Sequence, residues 1–329
     1  MKRLIVGFLG FFSLSTLLLL SACEDSADDP FRIGINPWPG YEFLYLAKEK
    51  GLFEKEGVNV QIIEYLSLQD VRFSMERGQI DAMASTLIEV LQIYDHFPGI
   101  KPRVVLIPDF SNGTDVILAR KDITNIAGLR GKRIGAEPAS LNSFILGRAL
   151  EKEGISLADV TIVSMDQGKM EQALLSGDVD AVVTYPPVSS SIMRGGNAHK
   201  VFSSADIPGE VVDTLSVSME FLAGGNEKIA AVIRAWDKAL EYAKEHPVES
   251  YQIMAEREGV TPDEFEQAMT GLELMTSSEQ IYLFEPGGSI EQTLRRLSQS
   301  MFEMGMTREP VETSNILYSG PINSVSSGK

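Results

Sequence analysis

The chain has 329 residues, 44% hydrophobic and 23% charged, so two domains are expected and wholesale disorder is excluded. Acidic residues outnumber basic ones 46 to 29, which gives a formal net charge of −17. That balance argues against nucleic acid as a partner, because a nucleic-acid-binding surface needs clustered basic side chains for the phosphates.

The N-terminal segment is typical of a secretory signal. After a basic start, residues 4–20 are almost entirely apolar, and Leu-Ser-Ala-Cys follows, ending at Cys23. This tetrapeptide resembles the bacterial lipobox, in which the cysteine is acylated and becomes the first mature residue. We predict a lipoprotein signal peptide over 1–22, lipidation at Cys23 and an acidic tether over 23–30. An uncleaved N-terminal anchor helix is the alternative. Cys23 is the only cysteine, so no disulfide can form within one chain.

The chain contains an internal repeat with an offset of about one hundred residues. Arg-Ile-Gly-Ile-Asn-Pro at 32–37 recurs as Arg-Ile-Gly-Ala-Glu-Pro at 133–138, and Gly-Gln-Ile-Asp-Ala at 78–82 recurs as Gly-Asp-Val-Asp-Ala at 177–181. Between these motifs, each copy has a helical segment, a second strand and another helix. Each copy therefore predicts a β-α-β-α-β unit with a mostly parallel sheet, and the two copies predict two α/β lobes.

The segments outside the two copies indicate how the lobes are joined. Strands are predicted over 104–108, 116–119 and 211–217, so the chain leaves the first lobe near Ala119 and returns near Asp213. Two crossing strands lying side by side would form a hinge. The predicted bounds are 31–118 and 212–310 for lobe one, 119–211 for lobe two, and 311–329 for a C-terminal tail.

Ligands of open parallel sheets bind beyond the carboxyl ends of the strands, and the repeat identifies those ends in both lobes. Trp38 lies there between two prolines, where its indole could form a stacking wall for a flat or cationic ligand. The alternative is that Trp38 closes the edge of its lobe. The predicted ligand-binding residues are Trp38, Tyr41, Ser85, Thr86, Asp109, Asn112, Glu137, Ser140, Asn142, Tyr185 and Asp213.

Several of these residues have a structural interpretation as well. The two tyrosines could belong to the core or to helix starts. The hydroxyl and amide side chains could be ordinary helix N-caps, a role that does not exclude ligand contact. These four residues are Ser85, Thr86, Ser140 and Asn142.

Acidic residues dominate the candidate cleft and hinge segments, which contain no Lys or Arg. Asp109, Glu137, Glu210 and Asp213 all fall there. A buried carboxylate needs a partner, which a cationic or amine ligand could supply, and we favour a neutral or amine-bearing small molecule as the ligand. The acids could instead cap helices or face solvent. A small oxyanion held by helix N-termini remains open.

Enzyme and metal signatures are absent from the sequence. The three histidines, His96, His199 and His246, are scattered outside the strand-end loops. No metal-ligand spacing, nucleophile elbow or phosphate-binding glycine loop occurs. We therefore predict no catalytic residues, no metal and no cofactor.

A family resemblance rests on a series of short motifs in a fixed order. The chain resembles the nitrate/sulfonate/taurine type of ABC-transporter substrate-binding protein over about residues 31–270, and it is similar to binding proteins for pyrimidine precursors of thiamine. The resemblance implies a type II periplasmic-binding-protein fold, a monomer, and delivery of a small molecule to an ABC permease with a cytoplasmic ATPase. The motifs are Asn-Pro-Trp-Pro-Gly-Tyr-Glu at 36–42, Leu-Ala-Lys-Glu-Lys-Gly-Leu-Phe at 46–53, Leu-Arg-Gly-Lys-Arg-Ile-Gly at 129–135, and the repeated segments at 78–82 and 177–181.

Together these features predict a lipid-anchored solute-binding protein on the extracytoplasmic face of a membrane. A binding lipoprotein that feeds a membrane signalling protein is the first alternative. A pyrimidine-synthase-like enzyme is the second. The resemblance implies cysteine- and histidine-containing active-site motifs for such synthases, and Cys23 at the mature terminus does not fit them.

Overall fold

The computed structural model describes residues 29–97 and 99–327. The predicted signal peptide, Cys23 and most of the acidic tether lie outside the described residues. Within those ranges the strands are β1 Phe31–Ile35, β2 Val60–Glu64, β3 Ala82–Thr86, β4 Arg103–Leu106, β5 Asp109–Ser111, β6 Val116–Arg120, β7 Arg133–Ala136, β8 Thr161–Ser164, β9 Ala181–Thr184, β10 Ala198–Ser203, β11 Asp213–Val217 and β12 Leu272–Leu274.

The helices alternate with the strands through both copies of the repeat and then fill the C-terminal third. They are α1 Glu42–Glu49, α2 Leu52–Lys55, α3 Leu68–Glu76, α4 Leu87–His96, α5 Leu141–Lys152, α6 Gln167–Ser176, α7 Val188–Arg194, α8 Met219–Glu245, α9 Pro247–Glu258, α10 Pro262–Met269, α11 Ser289–Glu303 and α12 Gly320–Ser327. No helix in the described part of the chain has both the length and the apolar composition needed to cross a membrane.

The two lobes are built on sheets of matching order. The first sheet runs β2-β1-β3-β11-β4, and the second, read in the same direction, runs β8-β7-β9-β6-β10. In each sheet the copy of the repeat supplies three parallel strands. The fourth strand is antiparallel and comes from the chain just after it has crossed from the other lobe. The two α/β lobes predicted from the repeat are confirmed, and each sheet has one reversed strand.

The repeated arginines and aspartates form the same contact in both copies of the repeat. Arg32 at the start of β1 donates through Nε to Asp81 Oδ2 at 3.0 Å, and the Arg32 backbone N–H donates to the same oxygen at 2.9 Å. Arg133 at the start of β7 makes both contacts with Asp180, at 3.3 and 2.9 Å. Each pair joins the amino ends of two parallel strands, at the edge of the sheet opposite the predicted cleft.

The crossing segments lie side by side and are hydrogen-bonded to each other. The Ser111 N–H donates to Val211 O at 3.1 Å, and the hydroxyls of Ser111 and Ser204 are 2.8 Å apart. Phe110 and Val212 form an antiparallel bridge. This is the two-strand hinge that the sequence predicted.

The first crossing comes earlier in the chain than predicted. The whole of β6 pairs with β9 and β10 in the second sheet. Val116 and Leu118 pack with Met170 and Leu174 in a core of the second lobe. The predicted boundary at 118/119 cuts through this strand, and we therefore propose a boundary before Val116.

The segment predicted as a C-terminal tail folds against the first lobe. The N–H of Tyr318 donates to Val104 O at 2.9 Å, which places this stretch beside β4. The following helix α12 buries Ile322 and Val325. We propose that lobe one extends through this segment, because its apolar side chains complete the core under β4 and α8.

Candidate functional site

A small cavity lies between the lobes at the carboxyl ends of β1, β3 and β9. The volume open to the centre of a water molecule is only about 10 Å³, which is enough for one water. Both lobes contribute to its wall, and a larger molecule therefore requires the lobes to move apart. The lining residues are Asn36, Trp38, Tyr41, Leu68, Thr86, Asp115, Leu141, Tyr185 and Asp213.

Three aromatic side chains form one end of the cavity. Trp38 follows β1, between two prolines, and only 4% of its surface is exposed. Its ring lies edge-on to Tyr185 of the other lobe, with centroids 5.9 Å apart, and 6.4 Å from the ring of Tyr41. The indole therefore faces the opposite lobe, as expected for a wall of the cleft, and in this geometry Tyr185 covers it.

Two buried carboxyl groups meet behind the aromatic residues. Asp109 begins the first crossing and Asp213 ends the second, and the antiparallel Phe110–Val212 bridge sets them opposite each other. Trp38 Nε1 donates to Asp109 Oδ1 at 3.4 Å, and the Tyr41 hydroxyl donates to Asp213 Oδ1. Among the described residues, Oδ2 of each carboxyl has no hydrogen-bond partner.

Burial controls the ionisation of this pair. It raises the pKa of Asp109 to about 7, although the interactions with Asp213 and Trp38 lower it. Burial and then the charge of Asp109 raise the pKa of Asp213 well above its usual range. Because the two groups interact so closely, the proton belongs to the pair rather than to one residue.

Gly40 is required beside this pair. A Cβ atom at this position would overlap Asp109 Oδ2 and would lie 2.9 Å from Trp38 Nε1. The missing side chain therefore allows the loop after β1 to close over the hinge carboxyls, and this explains the glycine in the Pro-Trp-Pro-Gly motif.

Two more buried acids lie near the cavity, Asp115 at the end of the first crossing and Glu137 in the second lobe. Burial raises the pKa of Asp115 to about 7 and that of Glu137 to about 8. In the described part of the chain, neither oxygen of the Glu137 carboxyl has a hydrogen-bond partner, and neither does Asp115 Oδ2. Of the three acids predicted at the cleft that are buried, Asp213 lines the cavity, whereas Asp109 and Glu137 do not.

Glu89 connects the lobes and was missing from the sequence prediction. It lies in the first turn of α4 in lobe one, where Oε2 accepts from the Thr86 hydroxyl at 2.6 Å and from the Thr86 N–H at 3.2 Å. Its other oxygen, Oε1, accepts from the N–H of Leu141 at 2.9 Å, at the start of α5 in lobe two. A side chain of one lobe thus caps helices of both lobes.

The predicted hydroxyl and amide residues act mainly as caps and braces. Thr86 and Ser140 are the N-caps of α4 and α5, each accepting from the backbone two residues ahead. Asn142 donates through Nδ2 to Val183 O, which ties α5 to β9. Ser85 is fully buried in β3, with no partner for its hydroxyl among the described residues. Of these four, Thr86 lines the cavity.

Two residues predicted for the cleft or the hinge, Asn112 and Glu210, lie outside the cavity. Asn112 is exposed and donates to Glu273 Oε1 at 2.7 Å, on the side of the hinge that faces β12. Glu210 accepts from Arg148 Nε at 2.7 Å. Both have protein partners and neither lines the cavity, because a turn after β5 directs Asn112 outward and α5 supplies Arg148.

Sequence reasoning also missed four lining residues, Asn36, Leu68, Asp115 and Leu141, although signals for them exist. Asn36 is the first residue after β1, and its Nδ2 donates to the Tyr185 hydroxyl at 3.3 Å across the lobes. Leu68 follows the N-cap Ser67. Asp115 follows the hinge turn directly. Leu141 follows the N-cap Ser140. For Glu89, the Thr-Leu-Ile-Glu sequence is a capping box that could have been recognised.

No three His, Cys, Asp or Glu side chains converge to hold a metal ion within residues 29–97 and 99–327. The hinge carboxyls accept hydrogen bonds from Trp38 and Tyr41 instead. The site can therefore bind through aromatic faces and carboxyl oxygens.

Comparison with known proteins identifies relatives of two kinds. A protein of Brucella abortus (strain 2308) named as a binding protein is 24% identical over 315 residues, covering 92% of this chain and 94% of that protein. A 4-amino-5-hydroxymethyl-2-methylpyrimidine phosphate synthase of Aspergillus parasiticus is 24% identical over 229 residues, covering 65% of this chain and 66% of that protein. Relatives of this chain thus include both a binding protein and an enzyme.

The fold is that of periplasmic binding proteins, as the resemblance implied. The alkanesulfonate-binding protein SsuA from Xanthomonas axonopodis pv. citri, solved with MOPS bound, superposes with a TM-score of 0.74 at 17% identity, covering 88% of this chain and 98% of that chain. The family model described as NMT1/THI5 like matches residues 38–250, which include Trp38, Glu89, both hinge crossings and the whole second lobe. The chain belongs to the NMT1/THI5-like family.

Proposed function

We propose that this protein is an exported, lipid-anchored solute-binding protein that captures a small organic molecule between its lobes and delivers it to an ABC importer. It would work on the extracytoplasmic face of a membrane, held there by lipid at Cys23. It would act as a monomer, with a permease and its cytoplasmic ATPase as partners and without a cofactor or a catalytic step of its own.

One observation carries this proposal: the buried cavity lies between the lobes, at the strand ends, and takes its wall from both. A molecule bound there contacts Trp38 and Asp213 on one side and Tyr185 on the other. Such contacts favour the closed arrangement over the open one, and the hinge of two crossing segments permits the change. Closure on a ligand is the signal that a permease can recognise.

Binding is tested by exposing the purified full-length protein to a bacterial metabolite extract and analysing it by native mass spectrometry. We expect a single small organic molecule to be retained and to be recovered unchanged after denaturation. A protein that retains no molecule from such extracts would contradict the proposal.

The same experiment decides between binding and catalysis. The relative named as a pyrimidine phosphate synthase makes an enzyme the specific competing function. An enzyme would release a chemically altered compound, whereas a transport receptor returns the compound that it bound.

The anchor is tested separately, because the first 23 residues carry that part of the proposal. Cys23→Ser removes the only cysteine and hence the acylation site. We expect the variant to leave the membrane fraction or to remain as an uncleaved precursor, and ligand retention to be unaffected. Wild-type protein found entirely in the soluble fraction would contradict lipid attachment.

A further inference from the structure

The wall of the inter-lobe cavity is acidic. Its lining includes two acids and no Lys or Arg. The lining acid Asp213 lies opposite Asp109 across the hinge, and Oδ2 of each carboxyl has no hydrogen-bond partner in the described part of the chain. Asn36 gives an independent indication: the side chain is buried and lines the cavity, and in the described residues its Oδ1 has no donor. Acceptor oxygens in a buried cleft need a ligand that donates hydrogen bonds.

The helix N-termini of α4 and α5 at the cleft are already capped by protein side chains. At α5 the Leu141 N–H donates to the Glu89 carboxylate and the Asn142 N–H donates to Ser140 Oγ at 3.2 Å. At α4 the cap is formed by Thr86 and Glu89. At α1 the carboxyl of Asp109 lies against Gly40, just before the helix begins. An anion would have to displace these side chains and would then face the remaining carboxyls.

The groups around the Asp109–Asp213 pair are acidic or neutral. Tyr41 and Trp38 donate to the two carboxyls, and Asp115, Glu89 and Glu137 are the other ionisable groups that act on the site. Arg72 acts on Glu89 at longer range, but its guanidinium donates to Glu76 at 2.6 Å. The cluster therefore holds protons where a cation could take their place.

We propose that the cleft takes a small organic cation, whose protonated amino or amidinium group binds at the Asp109–Asp213 pair beside Trp38. This inference rests on the proposed function and names the class of its ligand. The exchange is balanced: the cation arrives with its charge, the carboxyl proton leaves to solvent, and no covalent bond to carbon is made or broken. The aromatic rings supply a face that favours cations.

The exchange has a pH dependence. Burial raises the pKa of Asp109 to about 7 and raises the pKa of Asp213 well above its usual range, so the pair is protonated in acid and a proton competes with the cation there. Affinity for the cation should therefore rise as the pH increases through about 7. Protons should be released on binding, more of them at pH 6 than at pH 8.

The test uses a panel of small molecules of similar size and different charge on the purified full-length protein. Benzamidinium, benzylammonium and guanidinium are the cations, benzamide and benzyl alcohol are neutral, and benzoate, benzenesulfonate and nitrate are the anions. We expect only cations to raise the melting temperature, by about 5 °C at a hundredfold excess over Kd, with a larger rise at pH 8 than at pH 6. Calorimetry in two buffers of different ionisation enthalpy then counts the protons released.

Asp109→Asn and Asp213→Asn should lose the cation response while keeping the wild-type circular-dichroism spectrum. Glu210→Gln is the matched control: it removes a charge from the same hinge, where Glu210 binds Arg148 outside the cavity. The control should keep the response.

Each other outcome overturns the inference in a recognisable way. Stabilisation by anions or neutral compounds alone would make the ligand class wrong and leave the proposed function intact. Cation responses in both aspartate variants equal to that of the wild type would show that the cation binds elsewhere. Cation binding without proton release would show that the cation does not displace a carboxyl proton. A failure of every compound in the panel would also overturn the cation class, and the metabolite-extract experiment would then decide the proposed function separately.

Discussion

Glu89 Oε1 accepts a hydrogen bond of 2.9 Å from the backbone N–H of Leu141, and this contact joins the first turn of α4 in one lobe to the first turn of α5 in the other. Both groups are buried. Burial raises the pKa of Glu89, while the hydrogen bonds from Thr86 and Leu141 lower it. The carboxylate thus closes the lobes by satisfying a helix N–H that would otherwise be unpaired inside the cleft.

The first prediction is that Glu89→Ala opens the lobes. The substitution leaves the Leu141 N–H without an acceptor and removes the capping box of α4, so we expect a loss of about 1–3 kcal/mol of stability and a shift toward a wider cleft. The distance between spin labels introduced at the exposed positions Leu66 and Asp166, in a Cys23→Ser background, reports the opening.

Glu279→Ala is the matched control for this variant. Glu279 caps a surface turn through Thr276, with an oxygen that accepts at 2.9 and 2.7 Å, and it contacts no residue of the other lobe. It should lower stability slightly and leave the label distance unchanged. An unchanged distance in Glu89→Ala would show that this contact does not hold the lobes together.

The second prediction concerns Trp38. The sequence interpretation treats it as a loop residue of the site, whereas the structure buries it against Tyr185 and Tyr41. Trp38→Ala should therefore cost about 3–5 kcal/mol of stability in addition to losing the ligand response. Trp38→Phe keeps an apolar ring and removes the donor to Asp109, so it should lose less stability while weakening ligand-induced stabilisation.

Trp236→Phe provides the comparison for Trp38. Trp236 is fully buried, packs on Phe43 and donates to Met275 O at 3.0 Å, away from the cleft. This change should lower the melting temperature without altering the thermal shift caused by whichever compound stabilises the wild type. If both tryptophan variants lost the ligand response equally, Trp38 would have only a general structural role.

The third prediction is that stability falls as the pH rises from about 4 to about 7. The folded protein holds a proton on Asp109, whose pKa burial raises to about 7, whereas the unfolded chain releases it near the ordinary pKa of about 4. The folded state therefore binds more protons in this window, and its stability decreases with increasing pH. Asp115, Glu137 and Glu42 act in the same direction, since burial raises the pKa of each.

Asp109→Asn should flatten this dependence by up to about 1.4 kcal/mol per pH unit, because an amide stays neutral throughout. Urea unfolding at pH 5, 6, 7 and 8 measures the slope. Glu210→Gln, on the same hinge segment, should keep the wild-type slope. A wild-type protein that gained stability between pH 5 and pH 7 would contradict the assignment of protonated carboxyls at the hinge.

The two-lobe fold could be predicted because its determinants are local and repeated. A strand, a Pro turn and a helix follow one another twice, and strand-end loops meet at one edge of a parallel sheet whatever the details of packing. Trp38, Tyr41 and Tyr185 were predicted for that reason, and all three line the cavity. The capping box of α10, from Thr261 to Glu264, is a local pattern of the same kind.

The remaining features depend on contacts between residues far apart in the chain. Glu89 and Leu141 are 52 positions apart, and Arg148 pairs with Glu210 across 62. Nothing in either local sequence indicates such a partner. We propose a different bound for the first lobe because the apolar pattern of β6 is the same whichever sheet receives it, and β6 pairs with β9 in the second sheet.

The last prediction uses the repeat as its own control. Asp81 and Asp180 each bind the backbone N–H and the guanidinium of the arginine that opens the neighbouring strand. Because each carboxylate is mostly buried and accepts at least two hydrogen bonds, Asp81→Asn and Asp180→Asn should each cost about 1–2 kcal/mol. The two sites lie in different lobes, so the costs should add in the double variant to within about 0.5 kcal/mol. Both pairs lie at the sheet edge opposite the cleft, and neither variant should therefore change the ligand-induced thermal shift. Denaturant unfolding and that thermal shift are the measurements. A loss of ligand response in either variant would mean that the repeated motif acts on the cleft. A loss of stability in only one of the two variants would mean that the arginine–aspartate contact stabilises only that lobe.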